Sequence, residues 1–346
     1  MKTIYLHIGT EKTATTSLQR FFCLNRSRLV EAGIWYPCSE RLDYFDRDAH
    51  FPLPASLFDD CPDFVSPQKH ADSEALFGTL VRDIQARKEP AVLLSSEHFS
   101  SRCSRSDRVR AIRRLLHGFR VRVIVYVRPQ RELLVSAYST FLQSGGKKTL
   151  DEVARGNWLK PQAIYFNYLR MLEPWWEAFG TESVVVRVFQ PSRLVDRSVF
   201  GDVLSVLGIR AKDAFALPER LNTTISGEAA EFLYLANQHF PSFNEGDREG
   251  WELGQRFRAE AMPLFSGGSS IKHLLSPELI ADTEALYGHD NAELARIARP
   301  DLNGVLFAND ATRRETVDNR PGFCWSEPFV AWIVDRWKAA RSRAAA

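Results

Sequence analysis

Lys12 stands in "HIGTEKTATTSLQ" (residues 7–19) beside four hydroxyls, those of Thr13, Thr15, Thr16 and Ser17. The passage runs from the apolar stretch at 4–8 through a Gly-Thr turn into a helical pattern, so one cation and four hydroxyls meet a helix N-terminus. Unpaired backbone N–H groups and a partial positive charge make such a terminus an anion site. Thr and Ser also simply cap helices, but a Lys at the end of a first strand favours phosphate binding. The nucleoside-triphosphate loop G-x-x-x-x-G-K-[ST] places Gly directly before Lys. Here Glu11 holds that place and Gly9 lies three residues before Lys12. Kinases of that kind also need a metal-binding Asp at a later strand end. The later strands instead end "LLSSEH" and "VYVRP", so no magnesium apparatus is expected.

The elements that must position this loop are legible as short apolar runs: 3–8, 91–96, 122–127 and 183–189. They are nearly continuous and β-branched, as in parallel strands covered on both faces. Helical patterns at 16–32, 73–87, 107–119 and 131–143 separate them, which predicts βαβ crossovers and an α/β fold with a central parallel sheet. Residues 37–70 break the rhythm as an irregular insertion, either a binding lid or a surface excursion. After residue 222 the strand signals stop and a helical region begins. The expected organisation is one domain over 1–346, with an α/β core at 1–222 and a helical subdomain at 223–346.

Composition narrows the function. Lys and Arg total 45 against 43 Asp and Glu, which argues against a dedicated nucleic-acid binder and leaves room for a local basic pocket. No apolar run approaches the roughly 18 residues of a membrane span. The run at 4–8 has neither a basic leader nor a cleavage site. The five cysteines (Cys23, Cys38, Cys61, Cys103, Cys324) form no CxxC pair and are expected as reduced thiols in a cytoplasmic protein.

"HIGTEKTATTSLQ" resembles the 5′-phosphosulfate-binding loop of sulfotransferases that use 3′-phosphoadenosine 5′-phosphosulfate (PAPS), whose core is Lys, a small residue, Gly, then two Thr or Ser. The matching run is Lys12-Thr13-Ala14-Thr15-Thr16, in which Ala14 replaces the Gly and brings a methyl group, while Glu11 replaces a frequent Pro. The resemblance demands a second motif, a strand ending in Arg with a Ser eight residues later. Arg128 and Ser136 meet it and are implied to bind the donor's 3′-phosphate. "YFNYLRMLEPWWEAFGTESVVVRVFQ" and "LARIARPDLNGVLF" are similar to bacterial carbohydrate-type members. A P-loop-like three-layer fold is implied.

The same resemblance implies the chemistry: a sulfuryl group moves from PAPS to a hydroxyl or amine, with 3′,5′-adenosine bisphosphate as product and no metal. Lys12 would stabilise the leaving oxygen. The base would come from "VLLSSEHFS", where Glu97 and His98 are adjacent and would face opposite ways if the strand continued through them. Glu97 is favoured and His98 is the runner-up. An acceptor saccharide, glycolipid or small hydroxylated molecule is expected by analogy with the family. The alternatives are a P-loop kinase and a non-catalytic nucleotide-binding protein. His7 is read as a core histidine, and Trp175, Trp176 and Phe179 as a core-packing helix face. Arg114 and Arg120 are outside candidates for an anionic acceptor, as are Arg313 and Arg314 for the nucleotide.

Overall fold

The apolar runs become parallel strands because their Val, Ile and Leu side chains are buried on both faces, and the connecting amphipathic patterns become the crossover helices. The computed structural model describes residues 1–160, 163–210, 214–219, 224–265, 267–308 and 325–345. The chain first builds β1 (Thr3–His7), α1 (Thr15–Leu24), α2 (Arg26–Glu31), β2 (Ile34–Trp35), α3 (Pro52–Ala55) and α4 (Ser73–Ala86). Next come β3 (Ala91–Ser95), α5 (His98–Arg102), α6 (Ser106–Leu115), β4 (Arg120–Val127), α7 (Gln130–Gln143) and α8 (Leu150–Val153). It continues through α9 (Tyr168–Phe179), β5 (Val184–Val188) and α10 (Val199–Val206) to α11 (Gly227–Asn237), α12 (Arg248–Ala261), α13 (Pro277–Ala298) and α14 (Glu327–Ala345).

The strands form one parallel sheet in the order β2-β3-β1-β4-β5, which is the expected α/β class. β2 is two residues long, too short for any periodicity to announce it. The chain divides into two units. One comprises Met1–Pro129, Ile164–Leu221 and Tyr287–Asn309 and holds the sheet. The other comprises Gln130–Ala163, Asn222–Leu286 and Asp310–Ala346. In this second unit the Asn237 side chain donates to the carbonyls of Leu142 and Gly146 and accepts from Arg258, tying α11 and α12 to the end of α7.

In the sheet unit, Leu18, Phe21 and Phe22 fall on one face of α1 and are buried with Leu93, Ile124, Tyr126 and Val203. Burying each such side chain stabilises by about 1.5–3 kcal/mol, which fixes the rotation of α1 and hence the aim of its N-terminus. At the β4–β5 side, the fully buried Asp202 carboxylate accepts from Tyr126 Oη (2.8 Å), Arg187 Nε (2.9 Å) and the Val195 amide (3.0 Å). Removing it would leave the buried Tyr126 hydroxyl and the Arg187 guanidinium unpaired, at a cost of about 3–5 kcal/mol.

His7 is buried in the core and hydrogen-bonds Ser95 Oγ (2.8 Å), and burial pulls its imidazole down to about 4, so it is neutral. Trp175 is buried and stacks parallel to Phe179 on α9. The expectation of reduced cysteines is corrected: Cys23, at the end of α1, is disulfide-bonded to Cys38 in the segment after β2, with Cα atoms 5.7 Å apart. The α1-α2-β2 turnaround brings the two side by side, which their spacing did not signal. Cys61 and Cys103 are free, and Cys324 lies outside the described residues. Among the described residues no helix is long and apolar enough to cross a membrane.

Candidate functional site

Three adjacent strands, β3, β1 and β4, end side by side, with His7 in register with both Ser95 and Ile124. Neighbouring strands lie about 4.8 Å apart, so the segments that follow them are neighbours despite their distance in sequence. The chain fills the sheet to one side of β1 with β2 and β3 and then to the other with β4 and β5. The crevice outside the carboxyl ends at such a reversal is where open α/β sheets bind ligands. Glu97 follows β3, Lys12 follows β1 and Arg128 follows β4.

The loop after β1 is stitched to β4. Thr10 donates through both its amide and its Oγ1 to the Tyr126 carbonyl (2.9 Å each), and the Tyr126 amide donates to the Gly9 carbonyl (2.6 Å). Thr13 is fully buried and donates its hydroxyl to the Thr10 carbonyl (2.6 Å), so that hydroxyl braces the loop. Thr15 is buried, and Thr16 and Ser17 are half-buried. Lys12 and Ala14 both have φ of 63°, in the left-handed region. Ala14 is the N-cap of α1 and supplies no side-chain hydrogen bond to it. Ala14 therefore leaves the first-turn N–H groups of α1 without a bond from an N-cap side chain.

Gly9 brings the loop against the end of β3. A Cβ at Gly9 would stand 2.9 Å from Glu97 Cβ, and its φ of 97° suits only glycine comfortably. That close approach sets Glu97 beside the cradle. Burial pulls the Lys12 ammonium below its ordinary range, while Glu11 and Glu97 oppose this and Arg128 adds to it. Burial likewise pushes the Glu97 carboxyl up, against its own backbone amide, the Gln19 side chain and Lys12, with Glu11 adding to the rise. Two cations and two carboxylates thus share one electrostatic neighbourhood.

The strand ends at Ser95, and Glu97 has helical angles (φ −66°, ψ −19°) at the start of α5. The alternation expected for Glu97 and His98 is corrected accordingly, because neither belongs to an extended strand. His98 stacks on Phe64 (3.9 Å between ring centres) and tilts against Phe51 (5.1 Å), both from the insertion. Its Nδ1 lies 4.0 Å from Glu11 Oε1. Burial, with Arg102 and Arg47 nearby, pulls it down to about 3, so it is neutral at pH 7. The 37–70 insertion thus walls the His98 side of the site, as its rings show, and His50 pairs with Ser95 through two backbone-involving bonds.

Arg128 donates Nη1 to the Lys12 carbonyl (2.7 Å), while Tyr168 Oη donates to the Arg128 carbonyl (2.8 Å). Ser136 lies on α7, half-buried, in the second unit. Arg120 opens β4, at the far end of that strand from Arg128, and Arg114 pairs with Glu74 (2.8 Å). Neither is brought to the cradle by β4 or α6. Arg313 and Arg314 lie outside the described residues.

Two residues of the site, Gln19 and Tyr165, were not found from the sequence, and Glu11 was read only as a departure from the loop patterns. Gln19 donates Nε2 to Glu97 Oε2 (2.7 Å), Tyr165 donates its hydroxyl to Glu11 Oε2 (3.3 Å), and Glu11 thereby faces both Tyr165 and His98. Gln19 was visible only as a polar residue on the apolar face of α1. A cavity of about 790 Å³ lined by residues including Phe58, His70, Arg105 and Arg108 shares no residue with the cradle. Among the described residues, no group of three His, Cys, Asp or Glu side chains is arranged to hold a metal ion.

No protein-family model and no curated protein matches the chain. Among solved structures, it is similar to a sulfotransferase from Alicyclobacillus acidocaldarius, at 15% sequence identity and a TM-score of 0.37, over 74% of this chain and 96% of that one.

Proposed function

We propose that the protein is a PAPS-dependent sulfotransferase acting on a hydroxyl, or less readily an amine, of a saccharide, glycolipid or small hydroxylated molecule. The observation that carries this reading is the meeting of Lys12, Glu97 and Arg128 around one helix N-terminus that lacks a side-chain cap. The donor set fits a bound phosphosulfate: first-turn N–H groups of α1, the Lys12 ammonium, and the half-buried Thr16 and Ser17 hydroxyls. Thr13, Ala14 and Thr15 complete the loop around it. Arg128 is assigned to the 3′-phosphate.

PAPS would supply the activated sulfuryl group and leave as 3′,5′-adenosine bisphosphate. Lys12 holds positive charge where the bridging oxygen departs, the usual means of stabilising a transferring group. Glu97 accepts the acceptor's hydroxyl proton. Its burial raises its proton affinity toward the working range, which suits a general base. His98, neutral and partly covered by Phe51 and Phe64, is the second candidate for that proton.

Thermal stabilisation by 3′,5′-adenosine bisphosphate, compared with ATP and magnesium, tests the reading. A ligand at 100 times its Kd adds about 2.7 kcal/mol. The bisphosphate should raise Tm, and Arg128→Ala should weaken it more than it weakens adenosine monophosphate. Stabilisation by ATP and magnesium only would replace this reading with a kinase. Binding of the bisphosphate without sulfuryl turnover on any acceptor would leave a nucleotide-binding protein.

A further inference from the structure

Gln19 is 2% exposed, one turn beyond Thr15 on α1, yet its side-chain amide points out of the apolar face of that helix to Glu97 Oε2 at 2.7 Å. A buried glutamine next to Leu18, Phe21 and Phe22 is a poor choice for packing, since burying an amide without its hydrogen bonds costs more than a Leu or Met would. Its bond reaches across from the helix that forms the cradle to the residue that follows β3. Gly9 holds the backbone of Glu97 from the other side, its Cβ position lying 3.0 Å from Glu97 Cα. Main chain and carboxylate are therefore gripped separately.

We propose that Gln19 is the positioning residue for the Glu97 carboxylate, fixing one oxygen and keeping the group in the ionised form that can take the acceptor's proton. This rests on the reading of Glu97 as the base. An amide N–H can only donate, so the contact favours the carboxylate over the acid. It opposes burial, which acts the other way on the same group. The other groups that bear on Glu97 are Glu11 and Lys12 from the loop, Arg128 after β4 through its field on Lys12, Tyr36 after β2, and the adjoining His98 on α5. The Glu97 backbone amide, Gln19 and Lys12 favour the ionised form, and Gln19 is the side chain that does so through a direct hydrogen bond.

The test is Gln19→Met, close in volume and without the donor, read by ¹³C NMR titration of glutamate carboxyls in the full-length protein, with the Glu97 resonance assigned by its loss in Glu97→Gln. A hydrogen bond to a charged group is worth about 1.5–3 kcal/mol, so the Glu97 proton affinity should rise at least about tenfold, a midpoint shift of about one pH unit or more. The acidic limb of the pH–rate profile should move by the same amount, with kcat falling and KM nearly unchanged. Gln19→Glu, read in the same way, keeps the proposal testable if the Met variant does not fold; it should give two coupled carboxyls that retain one proton to higher pH. An unshifted Glu97 midpoint in either folded variant overturns the proposal. Because the titration needs no turnover, a shifted midpoint in a protein without sulfuryl transfer would sustain the contact's role and refute only the enzyme reading.

Discussion

Ala14→Gly should make this protein more stable, although it removes a methyl group from a partly buried position. Ala14 has φ 63° and ψ 28°. For an L-residue that conformation costs about 1–2 kcal/mol through the approach of Cβ to the following carbonyl. Glycine escapes this cost but loses about 0.5–1 kcal/mol more conformational entropy on folding. As the N-cap of α1, Ala14 contributes no side-chain bond that would be lost, and glycine is the better cap of the two. The balance is a gain of about 0.5–1 kcal/mol, or about 1 °C in Tm for a chain of this size. Scanning calorimetry of Ala14→Gly, the parent and Ala14→Val measures it. Val, β-branched and left-handed, should rank lowest, in the order Gly, Ala, Val. A Gly variant no more stable than the parent, or a Val variant equal to it, refutes left-handed strain at this position.

Gly9→Ala combines a left-handed φ of 97° with a Cβ 2.9 Å from Glu97 Cβ; it should destabilise by about 2–4 kcal/mol by urea titration and abolish transfer by displacing Glu97. Glu97→Gln should abolish transfer and raise stability at neutral pH. The folded state binds the Glu97 proton more tightly than the unfolded chain, so the parent's stability falls as pH rises from about the ordinary glutamate value through the raised one. The Gln variant lacks that loss, and its Tm advantage should vanish below about pH 4. Replacing Cys23 and Cys38 by Ser opens a crosslink between residues 15 apart; the expected loss is about 3 kcal/mol, matched by reduction of the parent and absent when the double variant is treated with reductant.

The strands β1, β3, β4 and β5 were legible because each carries its own local signal, four or more apolar residues bounded by polar ones. The cradle was legible for the same reason, since its small residues and Lys12 lie within a few positions of each other. What the sequence withheld is non-local. Gln19 and Glu97 are 78 residues apart and Tyr165 and Glu11 are 154 apart, and only the strand order makes either pair neighbours. The Cys23–Cys38 bond depends on a turnaround through β2, a strand too short to read. The relation of Glu97 to His98 stayed open in the sequence because an apolar run does not mark the residue at which extension gives way to a helical turn.

The contact of Gly9 with Glu97 has a consequence for how this site tolerates mutation. Two independent constraints act at position 9, the backbone hand and the lack of space for a Cβ. A second-site suppressor answers one constraint at a time. Glu97→Gly would remove only the nearest atom met by Gly9→Ala, since Glu97 Cα would still stand 3.0 Å from the new Cβ; it would also leave the alanine in the wrong backbone basin and take the carboxylate with it. No single change at position 97 can therefore rescue position 9, whereas position 97 can vary in side-chain length and charge while glycine stays. In a saturation library scored for folding, position 9 should be the invariant partner and position 97 the adjustable one. Chemistry at this site can then diverge at the end of β3 without any rebuilding of the loop that follows β1.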